Sequence, residues 1–202
     1  MRNLLFQDTE STGLLDFKKD LMAEGQPRIC ALAASLTDEQ GNIIDEMDVL
    51  IKPDGWDIEP GAAAVHGLTV EKCEAEGIPM QTALARYYEL KEQCQVRIGA
   101  NPTYDRRLLA REGIIYNMVH SSDGIDKLDL LPMAKSYCRI PPSDKMMAAG
   151  RRDYKTPKLS EAYEVLVGKP MENAHTAMGD VRACQAVYFE LMRRMRGVEG
   201  AA

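Results

Sequence analysis

Two acidic residues one position apart follow an apolar run near the N-terminus. The run Leu4-Leu5-Phe6 is typical of a buried strand, Asp8 and Glu10 come next, and the Ser-Thr-Gly sequence at 11–13 is typical of a turn. On a strand, side chains at i and i+2 point to the same face, so the two carboxylates should lie side by side at the end of a sheet. Like charges that close raise each other's pKa unless a cation lies between them. The pair predicts a site for Mg²⁺ or Mn²⁺, or, as the alternative, a solvated acidic turn.

Two further stretches place acids where structural elements begin. Asn101 follows a predicted strand, and Asp105 falls in the first turn of the next predicted helix. His175 precedes the long last helix, and Asp180 falls within its first turns, so both can reach one point. The ends of central strands in α/β folds are where sites collect. Taken singly, either acid is also explained by the helix dipole, a contribution of about 0.3–1 kcal/mol, and His175 by an ordinary loop.

Composition and charge are those of a globular protein. The 202 residues suggest a single domain over 1–202, with 45% hydrophobic and 28% charged residues. No apolar run approaches the roughly 20 residues that a membrane span needs, so no membrane association is expected. Five scattered cysteines favour free thiols and therefore a cytoplasmic location. The net charge of −6 argues against a protein that coats nucleic acid, but not against an enzyme that contacts a few phosphates.

The order of predicted elements indicates an α/β domain. Three strands are followed by alternating helices and strands, which favours a mixed central sheet of about five strands flanked by helices. The first predicted strand begins near Leu4, and four others are predicted over 28–36, 43–52, 96–100 and 125–131. One short helix is predicted to end near Glu76, and four further helices are predicted over 80–93, 103–112 (closed by Gly113), 159–167 and 176–196. The segments 53–61 and 141–157 are predicted to be irregular.

The acids fall into three motifs whose order is informative. They are Asp-x-Glu at 8–10, Asn-x-x-x-Asp at 101–105 and His-x-x-x-x-Asp at 175–180. This set strongly resembles the DEDDh branch of the DnaQ-like 3′→5′ exonucleases, which includes polymerase proofreading subunits, RNase T and oligoribonuclease. Val-His-Gly-Leu-Thr at 65–69 and the stretch 158–168 extend the resemblance, which covers roughly 3–195. Ala31 and Ala100 depart from the usual residues, which puts fine substrate handling in doubt.

The resemblance implies a ribonuclease H-like fold and a metal-dependent mechanism. It implies two Mg²⁺ or Mn²⁺ ions bound by four acids, namely Asp8, Glu10, Asp105 and Asp180. Two such ions clamp a scissile phosphate and stabilise the attacking and leaving oxygens. Histidine side chains ordinarily titrate near neutral pH, so His175 suits the general base. The expected substrate contacts are Thr12, Gly13, Leu14 and Asn101, with His66 as either a further contact or a structural hydrogen bond.

The segment 141–158 carries more basic than acidic residues. We expect it to hold the substrate strand, with Arg151 and Arg152 contacting phosphates and Tyr154 stacking on a base. The alternative is a solvated loop with no ligand.

Three functional hypotheses follow. The favoured one is a 3′→5′ exonuclease that acts on the 3′ end of single-stranded DNA or short oligonucleotides. The second is an RNA-directed relative similar to oligoribonuclease, which would use the same site. The third is a non-catalytic nucleic-acid-binding module, against which the intact set of four acids and one histidine argues. A DNA polymerase partner is possible and is left open by the sequence.

Overall fold

A five-stranded mixed sheet forms the centre of the structure, a computed structural model that describes residues 2–121 and 124–197. Its strands are β1 (Leu4–Ser11), β2 (Ile29–Thr37), β3 (Ile43–Leu50), β4 (Val96–Gly99) and β5 (Asp126–Asp129). They lie in the order β3-β2-β1-β4-β5. The pairs β1–β2 and β2–β3 are antiparallel, whereas β1–β4 and β4–β5 are parallel. The predicted mixed sheet of about five strands is thereby confirmed.

Helices cover both faces of this sheet. They are α1 (Pro60–His66), α2 (Val70–Glu76), α3 (Met80–Glu92), α4 (Pro102–Ile115), α5 (Leu130–Cys138), α6 (Asp144–Ala148), α7 (Leu159–Val167) and α8 (Ala177–Met195). Within the described ranges, none of these helices combines the length and apolar composition needed to span a lipid bilayer.

Strand β1 is the centre of the core because its two faces serve two separate apolar clusters. Leu4 and Phe6 pack with α5, α7 and α8 on one face. Leu5 packs with α3 and α4 on the other. The same alternation continues to the end of the strand, so Gln7 and Thr9 face α3 and α4 while Asp8 and Glu10 face α8. Burial of the first half of β1 therefore fixes the direction of the polar side chains in its second half.

Three of the predicted elements differ from the observed ones. Helix α1 occupies part of a segment predicted to be a loop, because Pro60 suits the first helical position and alanines follow it. Helix α6 interrupts the segment predicted to be irregular, with Ser143 as its N-cap. Gly113 does not close α4 but lies within it, where a Cβ atom would come 3.0 Å from the Tyr88 hydroxyl oxygen. Gly113 therefore serves close packing and not helix termination.

A buried ion pair joins the start of β2 to α4. The carboxylate of Glu112, which is 0% exposed, accepts a hydrogen bond of 2.9 Å from Arg28 Nε. It accepts another of 3.0 Å from the backbone N–H of Ile29. Arg28 also donates to Asp54 and to the Tyr116 hydroxyl group. Without Glu112 the backbone N–H of Ile29 would lose this partner and Arg28 would keep only Asp54 and Tyr116, so this carboxylate holds α4 against the sheet.

We predict that Glu112→Ala lowers the free energy of unfolding by about 3–5 kcal/mol, the cost of breaking a buried ion pair by removing one partner. The matched control is Glu89→Ala on α3, whose partner Arg86 lies 3.1 Å away at the surface. Loss of an exposed pair should cost no more than about 1 kcal/mol. Urea unfolding of the three proteins measures both values. Equal losses in the two variants would contradict the structural role of Glu112.

Candidate active site

Three carboxylates converge where β1 ends and α8 begins. Asp8 and Glu10 project from β1 and Asp180 from the first turn of α8, and one ligand oxygen from each lies within 4.8 Å of the others. Helix α8 is positioned at this point by its N-cap, Thr176, whose hydroxyl oxygen accepts a 3.2 Å hydrogen bond from Gly179 N. The i, i+2 spacing on the strand and the position of Asp180 near the helix start account for the convergence.

Repulsion and burial both raise the pKa values of this cluster. Burial raises the pKa of Glu10 to about 7, with the charges of Asp180 and Asp105 adding to the shift. The pKa of Asp8 is raised well above its usual range, first by burial and then by the charges of Asp105, Asp180 and Glu10. These carboxylates are therefore held at a separation that favours a proton or a cation between them. Oxygen donors of this kind fit Mg²⁺ or Mn²⁺.

Asp105 lies next to the cluster but is turned towards the backbone of β1. Its Oδ1 accepts hydrogen bonds from the backbone N–H of Thr9 at 3.0 Å and from the Thr9 hydroxyl group at 2.7 Å. Burial raises the pKa of Asp105 to about 6, although the hydrogen bonds from Thr9 act against that shift. Thr9 is thus a residue of the site that sequence reasoning missed, because it faces the opposite side of the strand from Asp8 and Glu10.

His175 lies beside Asp180 in the segment before α8. Its φ of 65° places it in the left-handed region, outside the helix. Burial raises the pKa of Asp180, and the backbone N–H and the charge of His175 oppose that shift. His175 also lines a cavity of about 400 Å³ together with Glu10 and His66. The structure therefore brings His175 and Glu10 to the same opening.

The residues after Glu10 form a tightly bonded turn with one apolar side chain exposed. The backbone N–H of Thr12 donates to the carbonyl oxygen of Arg28 at 2.9 Å, and the Thr12 hydroxyl oxygen accepts a hydrogen bond of 2.9 Å from Arg28 N. The carboxylate of Glu59 lies over Gly13, where a Cβ atom would come within 2.6 Å of it. Leu14 is 86% exposed. A rigid turn that presents an exposed leucine beside the acids is suited to contact with a planar group.

His66 and Asn101 have different surroundings. The ring of His66 is buried, Nδ1 accepts from Leu68 N at 3.1 Å, and Nε2 lies 3.3 Å from the Ser11 carbonyl oxygen. Both ring nitrogens of His66 therefore have protein partners, which supports the structural hydrogen bond over the substrate contact. Asn101 is exposed, with φ of 63°, and its side chain makes no capping bond to α4. Its amide remains available to a ligand.

The basic segment is placed apart from the acids. Arg151 pairs with Asp153 at 3.2 Å, and Asp153 also accepts from Lys135. Arg152 and Tyr154 line a surface cavity of about 420 Å³ beside α5. Among the described residues, no hydrogen bond or ion pair joins these side chains to the acid cluster. The structure thus does not bring the predicted strand-binding residues into direct contact with the site.

Comparison with known proteins reveals a family and several similar folds. A family model described as exonuclease (RNase T) matches residues 5–188. E. coli exonuclease I in complex with a dT13 oligonucleotide has a similar fold, with a TM-score of 0.69 and 22% identity over 98% of this chain and 42% of that one. A zinc-bound E. coli exonuclease I–ssDNA complex has a TM-score of 0.70 and 21% identity, over 98% of this chain and 42% of that one. Exonuclease I from Methylocaldum szegediense has a TM-score of 0.70 and 20% identity, over 98% of this chain and 41% of that one.

These likenesses confirm the predicted ribonuclease H-like fold. The chain spans less than half the length of the solved exonuclease I chains that it matches. No curated protein matches the sequence significantly.

We predict that the free energy of unfolding in metal-free buffer rises as the pH falls from about 7.5 towards 5. The folded-state pKa of Glu10, about 7, lies above its ordinary value of 4.5, so in this window the folded protein binds a proton that the unfolded chain lacks. The slope is limited to about 1.4 kcal/mol per pH unit for each proton taken up.

Urea unfolding in the presence of a chelator measures this slope, and Glu10→Gln is the control variant that should reduce it. Saturating Mg²⁺ or Mn²⁺ should reverse the trend, because a bound cation favours the charged carboxylates. A slope that is the same in the wild type and in Glu10→Gln would show that the cluster does not carry the effect.

Proposed function

Because the chain belongs to the exonuclease (RNase T) family, we propose that it is a metal-dependent 3′→5′ exonuclease that releases nucleoside monophosphates from single-stranded DNA. The observation that carries the proposal is the convergence of Asp8, Glu10 and Asp180 within 4.8 Å at the end of the central strand. The similar structures include E. coli exonuclease I in complexes with a dT13 oligonucleotide and with ssDNA, which supports this substrate class.

The four acids would hold two Mg²⁺ or Mn²⁺ ions. Asp8, Glu10 and Asp180 supply oxygen donors that already lie close together, and Asp105 adds a fourth carboxylate held in place by Thr9. When bound, such ions neutralise charge on the scissile phosphate and stabilise the attacking and leaving oxygens. The pKa values of Asp8 and Glu10 are raised, so the positive charge that the described residues supply, including His175 beside Asp180, does not balance the acids.

His175 would act as the general base. It lies outside the regular helix, beside Asp180 and at the same opening as Glu10, so its ring can accept a proton from the attacking water. The charge of Asp180 would then stabilise the imidazolium that forms. Leu14 would press on the terminal base, while the turn at Thr12 and Gly13 and the amide of Asn101 would position the terminal sugar.

Further parts of the proposal concern the whole protein. We propose that 1–202 forms one exonuclease domain, of which residues 5–188 match the family. Arg152 and Tyr154 would contact a strand that extends beyond the site, with Arg151 restrained by Asp153. All five cysteines are unpaired and buried, which supports a reducing, cytoplasmic location. A DNA polymerase partner would be sought by co-purification.

We predict that Asp8→Asn abolishes release of mononucleotides from 3′-end-labelled single-stranded DNA in the presence of Mg²⁺. The variant should be at least as stable as the wild type in chelator, because one repelling charge is removed. Parallel digestion of duplex DNA and of short RNA separates a DNA exonuclease from an oligoribonuclease-like enzyme. Residual activity within about tenfold of the wild type would contradict the assignment, and binding without hydrolysis by the wild type would indicate a non-catalytic module.

We predict that His175→Ala lowers kcat by roughly 10²–10⁴ in the same assay, because a general base is lost. The Mg²⁺ concentration that gives half-maximal activity should change little, because His175 is proposed to act on the water and not on an ion. A large shift in that concentration with unchanged kcat would assign His175 to metal binding instead.

We predict that Thr9→Val lowers kcat by about tenfold and raises the Mg²⁺ concentration for half-maximal activity, because Asp105 loses a charge-assisted hydrogen bond. Thr9→Ser keeps the hydroxyl group and should restore both values, which a purely structural defect would not allow. Urea unfolding confirms that each variant is folded. Wild-type values in Thr9→Val would show that the backbone N–H alone positions Asp105.

A further inference from the structure

A second cavity, whose exposed surface is mostly apolar but which several polar side chains line, lies on the face of the sheet that α3 and α4 cover. It measures about 70 Å³, and its polar lining comes from Gln7 on β1, Arg97 on β4, Lys127 on β5, and Thr103 and Arg106 on α4. Three of these residues are basic and no lining residue is acidic. Since the chain carries a net charge of −6, a pocket whose charged lining residues are all cationic contrasts with the overall charge of the molecule.

Arg97 is buried without a counter-charge. The residue is only 7% exposed, and its Nε has no hydrogen-bond partner in the described part of the chain. Its Nη1 donates to the neutral hydroxyl group of Tyr87 at 3.3 Å. Arg28, by contrast, is neutralised by the buried Glu112. A buried guanidinium group that lacks such a partner is costly, which indicates that an anion completes its surroundings.

The sheet register adds a second like charge. Arg97 and Lys127 are direct partners across β4 and β5. Like charges directly opposite each other on neighbouring strands destabilise a sheet. Within the described ranges, no carboxylate forms an ion pair with Arg97, Arg106 or Lys127. An anion held between these cations would remove the repulsion.

The neutral residues of the cavity are oriented as donors. The Tyr87 hydroxyl group accepts from Arg97 and donates to Oε1 of Gln7, which leaves the Gln7 amide nitrogen as a donor. The first turns of helix α4 line the cavity, so the positive end of the helix dipole lies nearby. The charged side chains that line the cavity are all cationic, and none of the described lining residues is acidic.

Two other arginines with an unpaired Nε do not make such a site. Arg107 lies over the ring of Phe17, 5.1 Å from its centroid. Arg111 donates to the carbonyl oxygen of Leu21 at 2.7 Å. Neither residue lines the cavity. The unpaired Nε of Arg97 is thus distinguished by the cationic cavity beside it.

We propose that this cavity binds a phosphate group, supplied by the backbone of a nucleic acid or by a free mononucleotide or orthophosphate ion. One water needs roughly 10–15 Å³ of such space, so the cavity has room for a small oxyanion. Arg97, Arg106 and Lys127 would donate charge-assisted hydrogen bonds to the phosphate oxygens. The proposal does not depend on the exonuclease assignment, because none of these residues belongs to the acid cluster.

Isothermal titration with orthophosphate, in chelator and at constant ionic strength, tests the site directly. Without metal the acid cluster repels phosphate and does not contribute to binding. The test variant is Arg106→Gln with Lys127→Gln, since both side chains are exposed and the buried Arg97 stays in place. The matched control is Lys52→Gln with Arg196→Gln, which removes two exposed positive charges elsewhere.

We expect the wild type and the control variant to bind orthophosphate with the same affinity. The test variant should bind at least about tenfold more weakly, as expected when charge-assisted hydrogen bonds to phosphate are lost. Equal affinity in all three proteins, or no binding by the wild type, would overturn the proposal.

The source of the phosphate is decided by titrating thymidine monophosphate and an eight-residue oligothymidylate in the same buffer. If the strand supplies it, the test variant alone should bind the oligonucleotide more weakly and show a salt slope shallower by roughly one unit, because one phosphate contact is lost. If a free mononucleotide supplies it, the test variant should bind thymidine monophosphate and orthophosphate more weakly than the wild type and bind the oligonucleotide with unchanged affinity. Either pattern supports the site, and a loss that the control variant shares contradicts it.

Discussion

Repulsion among four carboxylates at the end of one strand is the constraint that the rest of the structure satisfies. Asp8, Glu10, Asp105 and Asp180 come from β1, α4 and α8, and burial together with their mutual charge raises their pKa values. Only packing elsewhere can hold these elements together in the absence of a cation. Phe6 supplies part of it, since its ring lies 5.6 Å from Tyr188 and 5.9 Å from Phe189 on α8. Apolar contacts about two helical turns from Asp180 thus offset an electrostatic cost at the site.

The sequence predicted what depends on local spacing. Alternation along β1 placed Asp8 and Glu10 on one face, and the start of α8 placed Asp180 near them, as observed. The sheet of five strands followed from the order of apolar segments. Some helix boundaries did not follow from the sequence. A proline can either break a helix or begin one, and a glycine can either end a helix or lie inside one. Pro60 begins a helix and Gly113 lies inside one, and only the packing around them decides which use applies.

Contacts between distant segments were beyond sequence reasoning. Thr9 and Asp105 are joined by two hydrogen bonds across the α4 face of β1, and nothing in either motif indicates that pairing. The basic segment shows the converse, because its charges were visible but their partners were not. Asp153 forms ion pairs with Arg151 and Lys135, so fewer unpaired cations remain than the composition indicates. The juxtaposition of Arg97 with Lys127 likewise depends on the register of β4 and β5.

The alternation of β1 also limits how this chain can change during evolution. Gln7 and Thr9 serve the α4 side, while Asp8 and Glu10 serve the α8 side. A one-residue insertion or deletion between Phe6 and Glu10 would exchange the two sets and place carboxylates among buried apolar side chains. Substitutions in this stretch can leave the fold intact, whereas changes of length cannot. Natural variation in length should therefore accumulate in the loops, and β1 should keep an invariant spacing across homologues.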